Sequence, residues 1–300
     1  MSLATIIRRL WTDIFLPVGP AIYAVIMFAI GDLRVEHIVI AIVAPVMAFA
    51  TRWSKSLLVA AGPGLLVVLG YDLMRYIRPF FVVPSRVVGC AVRQIDLSLF
   101  GVGPNITLSD YFAAHHTLAL DLYFAIPYSI FFVVTIVYCV YLFFRDRRRL
   151  DHYLWAFALV HAMAFVVWVA LPVAPPWYIR AHGCTILAGI APSAAGLLRV
   201  DQYFGIHYFR DFYGRAPDVF GAMPSLHCAF PAIGLFTAWR AATWVTWPLH
   251  LLYFFSMFVA SIYLGHHWII DGLVGWLMAA VAVAIVGGIM RLREARVAAP

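Results

Sequence analysis

The chain has 300 residues, of which 64% are hydrophobic and only 12% are charged, and its mean hydropathy is +0.91. This composition excludes an ordinary soluble domain and predicts an all-α, polytopic membrane protein built as a helical bundle. The formal net charge of +7 does not indicate nucleic-acid binding, because the basic residues gather in loops beside apolar segments.

Eight apolar segments predict about eight transmembrane helices within one membrane domain covering residues 1–300. Each is close to the ~20 residues that a bilayer crossing requires. We expect residues 1–55 to form extra N-terminal helices and residues 56–290 to form the catalytic core. The segments lie at about 14–31, 36–51, 56–72, 117–144, 153–173, 227–243, 245–265 and 268–290.

The basic run Arg145-Asp146-Arg147-Arg148-Arg149 predicts the orientation of the chain, because arginine-rich short loops remain in the cytoplasm. With eight crossings, the loop 174–226 and the turn at His266-His267 then lie on the non-cytoplasmic side, which is lumenal, periplasmic or extracellular. The loop 73–116 lies on that side too and is expected to hold at most one interfacial helix. Cys90 and Cys184 fall in these two loops, on the same side of the membrane. The sequence allows a disulfide between them but does not establish one.

Two motifs flank the last apolar hairpin: Pro224-Ser225-Leu226-His227 and His267-x-x-x-Asp271. Pro224 and Ser225 indicate a helix start, where Ser225 caps free backbone N–H groups and an anion can bind. His267 and Asp271, four residues apart, share one helical face. Ionisable groups beside apolar spans are costly, which favours a functional role.

These residues predict phosphoryl transfer, although a single histidine in an apolar chain is more often structural. In this interpretation His267 is the nucleophile, Asp271 orients and stabilises its imidazole, and His227 is the acid and base. Ser225 and an arginine, either Arg199 or Arg215, would stabilise the phosphoryl oxygens. The sequence contains no motif typical of a metal, nucleotide or other cofactor site, so we expect none of these.

The motifs resemble signatures of the phosphatidic acid phosphatase type 2 superfamily, Pro-Ser-Gly-His and Ser-Arg-x5-His-x3-Asp. Leu226 replaces the usual glycine, and Ala260-Ser261 replace Ser-Arg. The chain is more similar to the branch containing fungal inositol phosphorylceramide synthase. That similarity covers roughly residues 117–290, and it lies in Ala174-Pro175-Pro176-Trp177-Tyr178, in Gly196–Asp201 with Phe204-Gly205, in Val219-Phe220-Gly221-Ala222 and in the doubled His266-His267.

The resemblance implies a six-helix core and transfer of inositol phosphate from phosphatidylinositol to ceramide through a phosphohistidine. Its partners would then be a phospholipid donor and a lipid acceptor, and no protein partner is predicted. His266, Trp177 and Tyr178 are expected to bind substrate, with the two aromatic residues shielding the phosphohistidine from water.

Three alternatives stay open. A lipid phosphate phosphatase would use water in place of the lipid hydroxyl, but the missing arginine at Ser261 disfavours it. A transporter would place ionisable groups near the middle of the membrane, whereas these lie at one face. A purely structural membrane subunit leaves the paired motifs unexplained.

Overall fold

The computed structural model describes residues 6–7, 9–187, 189–216 and 219–298. Within these ranges the protein is helical and forms isolated β-bridges in place of strands. The chain divides into two compact units, Met1–Leu66 and Val67–Pro300. The domain boundaries expected from the sequence stay a prediction.

The first unit is a small helical assembly. A π-helical turn, Leu10–Phe15, leads into α1 (Leu16–Ala29), which is followed by α2 (Val35–Ala50) and the start of α3 (Arg52–Phe81). Leu16, Ala44, Ala48 and Leu58 form its buried core. Small alanine side chains let the helices approach closely, as is common between membrane helices.

The second unit holds the long helices and the candidate site. Its helices are α4 (Cys90–Phe100), α5 (Leu108–Ala114), α6 (Leu118–Arg145), α7 (Arg147–Ala170), α8 (Pro176–His182), α9 (Leu198–Phe204), α10 (Tyr208–Tyr213), α11 (Leu226–Ala238), α12 (Thr246–Tyr263) and α13 (Ile269–Ala298). Helix α11 lies at the centre and packs against α6, α7, α12 and α13. Ten of its thirteen residues are buried, which is consistent with a helix surrounded by other helices.

Six helices in the described part of the chain are long and apolar enough to cross a membrane. They are Leu10–Ala29, Arg52–Phe81, Leu118–Arg145, Arg147–Ala170, Thr246–Tyr263 and Ile269–Arg296. The other two predicted crossings correspond to shorter apolar helices, Val35–Ala50 and Leu226–Ala238. The all-α, polytopic fold class is therefore confirmed.

Helix α7 starts earlier than predicted. The sequence suggested a loop until about residue 153, but Arg147, Arg148 and Arg149 already belong to the helix. The Asp146 carboxylate explains this start, because it accepts a hydrogen bond from the Arg149 backbone N–H at 2.9 Å. Such N-capping satisfies a backbone donor that would otherwise lack a partner, and the hydropathy of the arginines does not reveal it.

Short helices and loops cover one end of the long helices. The predicted loop 73–116 contains the end of α3 and two short helices, α4 and α5, where one interfacial helix was expected at most. Parallel β-bridges join Val173 to Val88 and to Gly221, so three separate loop segments lie side by side. A disulfide joins Cys90 to Cys184, which resolves the pairing that the sequence left open.

Candidate active site

The two sequence motifs meet where α11 and α13 begin. The Ser225 backbone N–H donates to the carbonyl oxygen of Asp271 at 3.0 Å. Gly275 permits this approach, because a Cβ at that position would collide with the Ser225 carbonyl oxygen. Gly265, with φ +76°, provides the left-handed turn that reverses the chain between α12 and the histidine pair. Local backbone geometry thus brings residues far apart in sequence together.

Ser225 is the N-cap of α11, as the sequence predicted. Its Oγ accepts a hydrogen bond from the Cys228 backbone N–H at 3.3 Å, and its side chain is fully buried. His227 follows in the first turn and projects toward the histidine pair. The helix start therefore lies beside the imidazoles, where backbone N–H groups favour an anion.

His227 and His267 are in direct contact. The distance from His227 Nδ1 to His267 Nε2 is 3.3 Å, and His267 Nδ1 lies 2.7 Å from the carbonyl oxygen of Ala222. A carbonyl oxygen only accepts, so Nδ1 of His267 carries the proton. In the neutral imidazole Nε2 then holds the lone pair, which faces His227.

Asp271 has a different contact from the one expected. Its Oδ2 lies 3.8 Å from His267 Nδ1, which is too far for a hydrogen bond. The same oxygen accepts from the Trp268 backbone N–H at 2.8 Å and so caps the start of its own helix. The Ala222 carbonyl, and not Asp271, therefore holds the imidazole tautomer, while the buried carboxylate adds negative charge nearby.

The histidines lie within a continuous aromatic stack that the sequence analysis missed. The Tyr128 ring stacks on His227 at 4.4 Å and on His266 at 5.2 Å, measured between centroids. Tyr213 stacks on the other side of His266 at 4.9 Å. Tyr128 is only 1% exposed, and its hydroxyl is buried without a hydrogen-bond partner among the described residues. Tyr128 could have been found from the sequence, because it lies two helical turns after Asp121 within an apolar span. Polar groups in such a span are costly, and their spacing indicates a shared functional face.

His266 is a neutral neighbour of the reactive pair. Burial, together with the nearby His267 and Arg180, lowers the pKa of His266 to about 3. Its Nε2 is buried without a hydrogen-bond partner in the part of the chain that the structure describes. An uncharged imidazole with one unused nitrogen can form a hydrogen bond with a hydroxyl group of a substrate.

The two arginines expected to bind phosphate lie in different environments. Arg199 forms a bidentate ion pair with Asp121, with N–O distances of 2.6 to 3.0 Å, and Tyr263 donates to the same carboxylate at 2.9 Å. Nη2 of Arg199 also lies close to Gly196, and Gly196 packs against the backbone of Leu264. This network therefore fixes Arg199 beside the turn that precedes the histidines. Arg215 is exposed, and its backbone carbonyl accepts from Arg75 at 3.0 Å.

Arg180 is a cation of the site that the sequence analysis did not single out. One guanidinium nitrogen, Nη2, fills the space that a Cβ on Gly265 would need, directly before the histidine pair. The other, Nη1, lies 3.1 Å from Ser109 Oγ and 3.6 Å from Asp110 Oδ1. Arg180 could have been found from the sequence, because it lies three residues after Trp177, which was itself expected to bind substrate.

Trp177 and Tyr178 support the loops around the site. The Trp177 backbone N–H donates to the Gly265 carbonyl at 3.0 Å, which anchors α8 to the histidine turn. Tyr178 is fully buried, and its hydroxyl bonds to the Thr185 carbonyl at 3.2 Å and to the Leu187 N–H at 2.8 Å. Tyr178 therefore packs within the loops, and its role in substrate binding stays a prediction.

Ser261, at the position of the superfamily arginine, is fully buried next to Cys228, with 3.5 Å between their side-chain oxygen and sulfur atoms. This part of the site therefore contains a small neutral side chain. No group of three or more histidine, cysteine or acidic side chains with metal-binding geometry was found among the described residues.

Comparison with known proteins identifies the family. The sequence profile described as "PAP2 superfamily" matches residues 94–285, which contain both histidine motifs. The chain belongs to the PAP2 superfamily. It is 31% identical to the phosphoinositol dihydroceramide synthase of Bacteroides thetaiotaomicron, over 92% of this chain and 92% of that protein.

Two fungal relatives match a smaller part of the chain. The inositol phosphorylceramide synthase of Candida albicans is 29% identical over 59% of this chain and 38% of its own length. The catalytic subunit of the Saccharomyces cerevisiae inositol phosphorylceramide synthase is 29% identical over 56% of this chain and 42% of its own length. No solved structure matches the chain. The apolar helices together with this family membership make the protein an integral membrane enzyme.

Proposed function

We propose that this protein transfers a phospho-alcohol headgroup, inositol phosphate, from phosphatidylinositol to the hydroxyl of a ceramide-type lipid. The observation that carries this proposal is the contact between His227 Nδ1 and His267 Nε2 at 3.3 Å, with the His267 tautomer held by Ala222. The name of the relative that matches nearly the whole chain supports a phosphoinositol headgroup and a ceramide-type acceptor. A protein partner is not assigned.

In the first step, Nε2 of His267 attacks the phosphorus of the donor phosphodiester. A P–N bond forms while the P–O bond to diacylglycerol breaks, and protonated His227 gives its proton to the leaving oxygen. The product is a phosphohistidine, in which phosphorus is bonded to Nε2 of His267 and still esterified to inositol, and its imidazole is cationic. Asp271, fully buried and 3.8 Å from Nδ1, stabilises that positive charge.

In the second step, the acceptor hydroxyl attacks the same phosphorus. His227 removes the hydroxyl proton, the P–N bond breaks, and His267 returns to its neutral form. Proton transfer of this kind contributes about 10²–10⁴-fold to a rate. The start of α11 and the cations Arg180 and Arg199 support the proposal, since they surround the turn that carries His267 and would stabilise the phosphoryl oxygens.

We propose that the site faces the non-cytoplasmic side. Two independent features support this orientation. The basic run from Arg145 to Arg149 lies at the opposite ends of α6 and α7 from the histidine turn, as expected for a cytoplasmic loop. The Cys90–Cys184 disulfide lies in the loops on the side of the site, and disulfides persist in oxidising compartments.

A lipid phosphate phosphatase is the second candidate, because the same two steps with a phosphomonoester lipid as donor and water as acceptor would release free phosphate. The neutral Ser261 at the arginine position favours a phosphodiester, which carries less charge than a phosphomonoester.

The test uses purified full-length protein, phosphatidylinositol labelled in the inositol ring, and ceramide. Headgroup transfer to ceramide supports the proposal, and the His267→Ala variant should transfer nothing. Release of free inositol phosphate, or faster dephosphorylation of phosphatidic acid than any headgroup exchange, would replace the synthase assignment with the phosphatase.

A further inference from the structure

A cavity of about 490 Å³, open to solvent and lined by both polar and apolar groups, lies among the short helices that cover the site. Helix α4 contributes Arg93 and Gln94, the loop before α5 contributes Asn105, α5 contributes Asp110, and α8 contributes Arg180. The Cys90–Cys184 disulfide forms another part of the wall. The mechanism above uses Arg180 from this wall but none of the other residues that line the cavity.

We infer that this cavity binds the polyhydroxylated ring of the donor headgroup, an inference that rests on the proposed function. The cavity lies beside the histidine turn. Arg180 lines the cavity, and its Nη2 occupies the space next to Gly265, immediately before His266 and His267. The width of one guanidinium group therefore separates the cavity from the histidine turn, and the Trp177–Gly265 hydrogen bond at 3.0 Å fixes that arrangement.

The shape of the substrate also directs the headgroup toward this cavity. A phosphodiester bound at His267 has diacylglycerol on one side and the headgroup on the other. The acyl chains must reach the lipid along the apolar helices, so the headgroup must extend into the covering loops. The cavity lies in those loops and is large enough for a six-membered ring with its hydroxyl groups.

The polar side chains of the cavity wall are suited to bind hydroxyl groups. Arg93 donates to Asn105 Oδ1 at 2.8 Å and to Asp110 Oδ2 at 3.0 Å, which fixes three polar side chains in place. The Gln94 amide supplies both a donor and an acceptor, as vicinal hydroxyl groups require. Two arginines and one aspartate leave one net positive charge, which disfavours a cationic headgroup such as choline or ethanolamine.

The experiment measures inhibition of the full-length enzyme, assayed with phosphatidylinositol and ceramide, by soluble glycerophosphoinositol and by glycerophosphocholine. We expect glycerophosphoinositol to inhibit at concentrations at least tenfold lower. Gln94→Ala should weaken that inhibition about threefold to tenfold and raise KM for phosphatidylinositol, with kcat unchanged. Gln94→Trp, which fills the cavity from its exposed rim, should weaken it further.

Gln202→Ala is the matched control, because Gln202 is another exposed glutamine on a short helix of the covering region, outside the cavity wall. Equal inhibition by the two soluble compounds, or full sensitivity to glycerophosphoinositol in both Gln94 variants, would overturn the inference. Absence of any transfer by the wild type would instead contradict the proposed function. In that case direct calorimetric binding of glycerophosphoinositol to wild type and Gln94→Trp still tests the cavity.

Discussion

His227 Nδ1 lies 3.3 Å from His267 Nε2, although 40 residues separate them in the chain. This contact aims the lone pair of one imidazole at the N–H of the other, so a phosphoryl group entering between them would meet a nucleophile and an acid together. His267→Ala should abolish covalent labelling by a donor labelled in its headgroup. His227→Ala should still be labelled, but turnover should fall by about 10²–10⁴-fold, the usual contribution of acid–base catalysis.

Quenching in alkaline detergent, which preserves the acid-labile P–N bond, followed by gel analysis at alkaline pH measures this labelling. Circular dichroism and size-exclusion chromatography would confirm that both variants fold. Labelling of His267→Ala at the wild-type level would show that another group is the nucleophile.

Asp271→Asn should reduce kcat without abolishing the reaction. The Ala222 carbonyl retains the His267 tautomer, so the variant loses mainly the negative charge near the imidazolium. An opposite charge at about 4 Å contributes roughly 4 kcal/mol at an effective dielectric constant near 20, equivalent to about 10³-fold in rate. Steady-state kinetics should show this loss in kcat, with KM nearly unchanged. A variant as inactive as His267→Ala would mean that Asp271, and not Ala222, holds the imidazole.

Tyr128→Phe should raise thermal stability and lower activity. The hydroxyl of Tyr128 is buried without a partner among the described residues, which costs about 1–3 kcal/mol in a folded protein. Phenylalanine keeps the ring that stacks on His227 and His266 but removes that cost. We expect kcat to fall about tenfold because the hydroxyl is available to bind the reacting phosphoryl group.

Tyr138→Phe is a matched control for Tyr128→Phe. Tyr138 lies on the same helix, and its hydroxyl is likewise buried without a partner in the described structure, but its ring neighbours are Tyr141, Tyr153 and His250. This variant should gain stability and keep full activity. Equal kinetics for the two variants would assign Tyr128 to packing alone.

Cysteine labelling in intact cells should report the orientation of the chain. With Cys139 and Cys228 replaced and the disulfide kept, Gln202→Cys should react with a membrane-impermeant maleimide, whereas Arg145→Cys should react only after permeabilisation. Both positions are exposed, so access to solvent does not distinguish them. Reaction of Arg145→Cys alone would reverse the topology.

Asp96→Asn should stabilise the protein at neutral pH and flatten its pH dependence. Asp96 is 1% exposed and accepts from the Ile270 backbone N–H at 3.3 Å, at the start of α13. Burial raises the pKa of Asp96 to about 6. The folded state therefore holds this proton over a range where the unfolded state, with a pKa near 3.9, has lost it.

The direction in which stability changes with pH follows from this difference between the two pKa values. Between about pH 4 and 6 the folded state binds more protons, so the free energy of unfolding decreases as pH rises, by up to about 3 kcal/mol from this group. Melting temperatures across this range should decline less in Asp96→Asn, whose amide oxygen still accepts from Ile270. Asp201→Asn is the control, because it weakens hydrogen bonds from the Phe209 and Arg210 N–H groups and should lower stability. An unchanged pH profile in Asp96→Asn would contradict the assignment.

Local patterns predicted much of this protein. Mean hydropathy located the apolar helices, and Pro224-Ser225 predicted the N-cap of α11, because burial in lipid and capping depend on a few neighbouring residues. The prediction that His267 and Asp271 share one helical face was wrong, because α13 begins only at Ile269 and His267 lies in the turn before it. The start of α7 was misplaced because the Asp146 cap overrides the polarity of the arginines that follow.

The sequence by itself determined the helical membrane fold, the two histidine motifs and the family resemblance. The tertiary structure decided which atoms meet: the Ala222 carbonyl rather than Asp271 on His267 Nδ1, the Tyr128 ring against both His227 and His266, and Arg180 beside Gly265. Hydropathy and helix capping act within one or two turns of chain. Hydrogen-bond partners instead depend on competition among acceptors from distant segments. Asp271 is engaged by the start of its own helix, and packing across 45 residues supplies the acceptor that His267 uses.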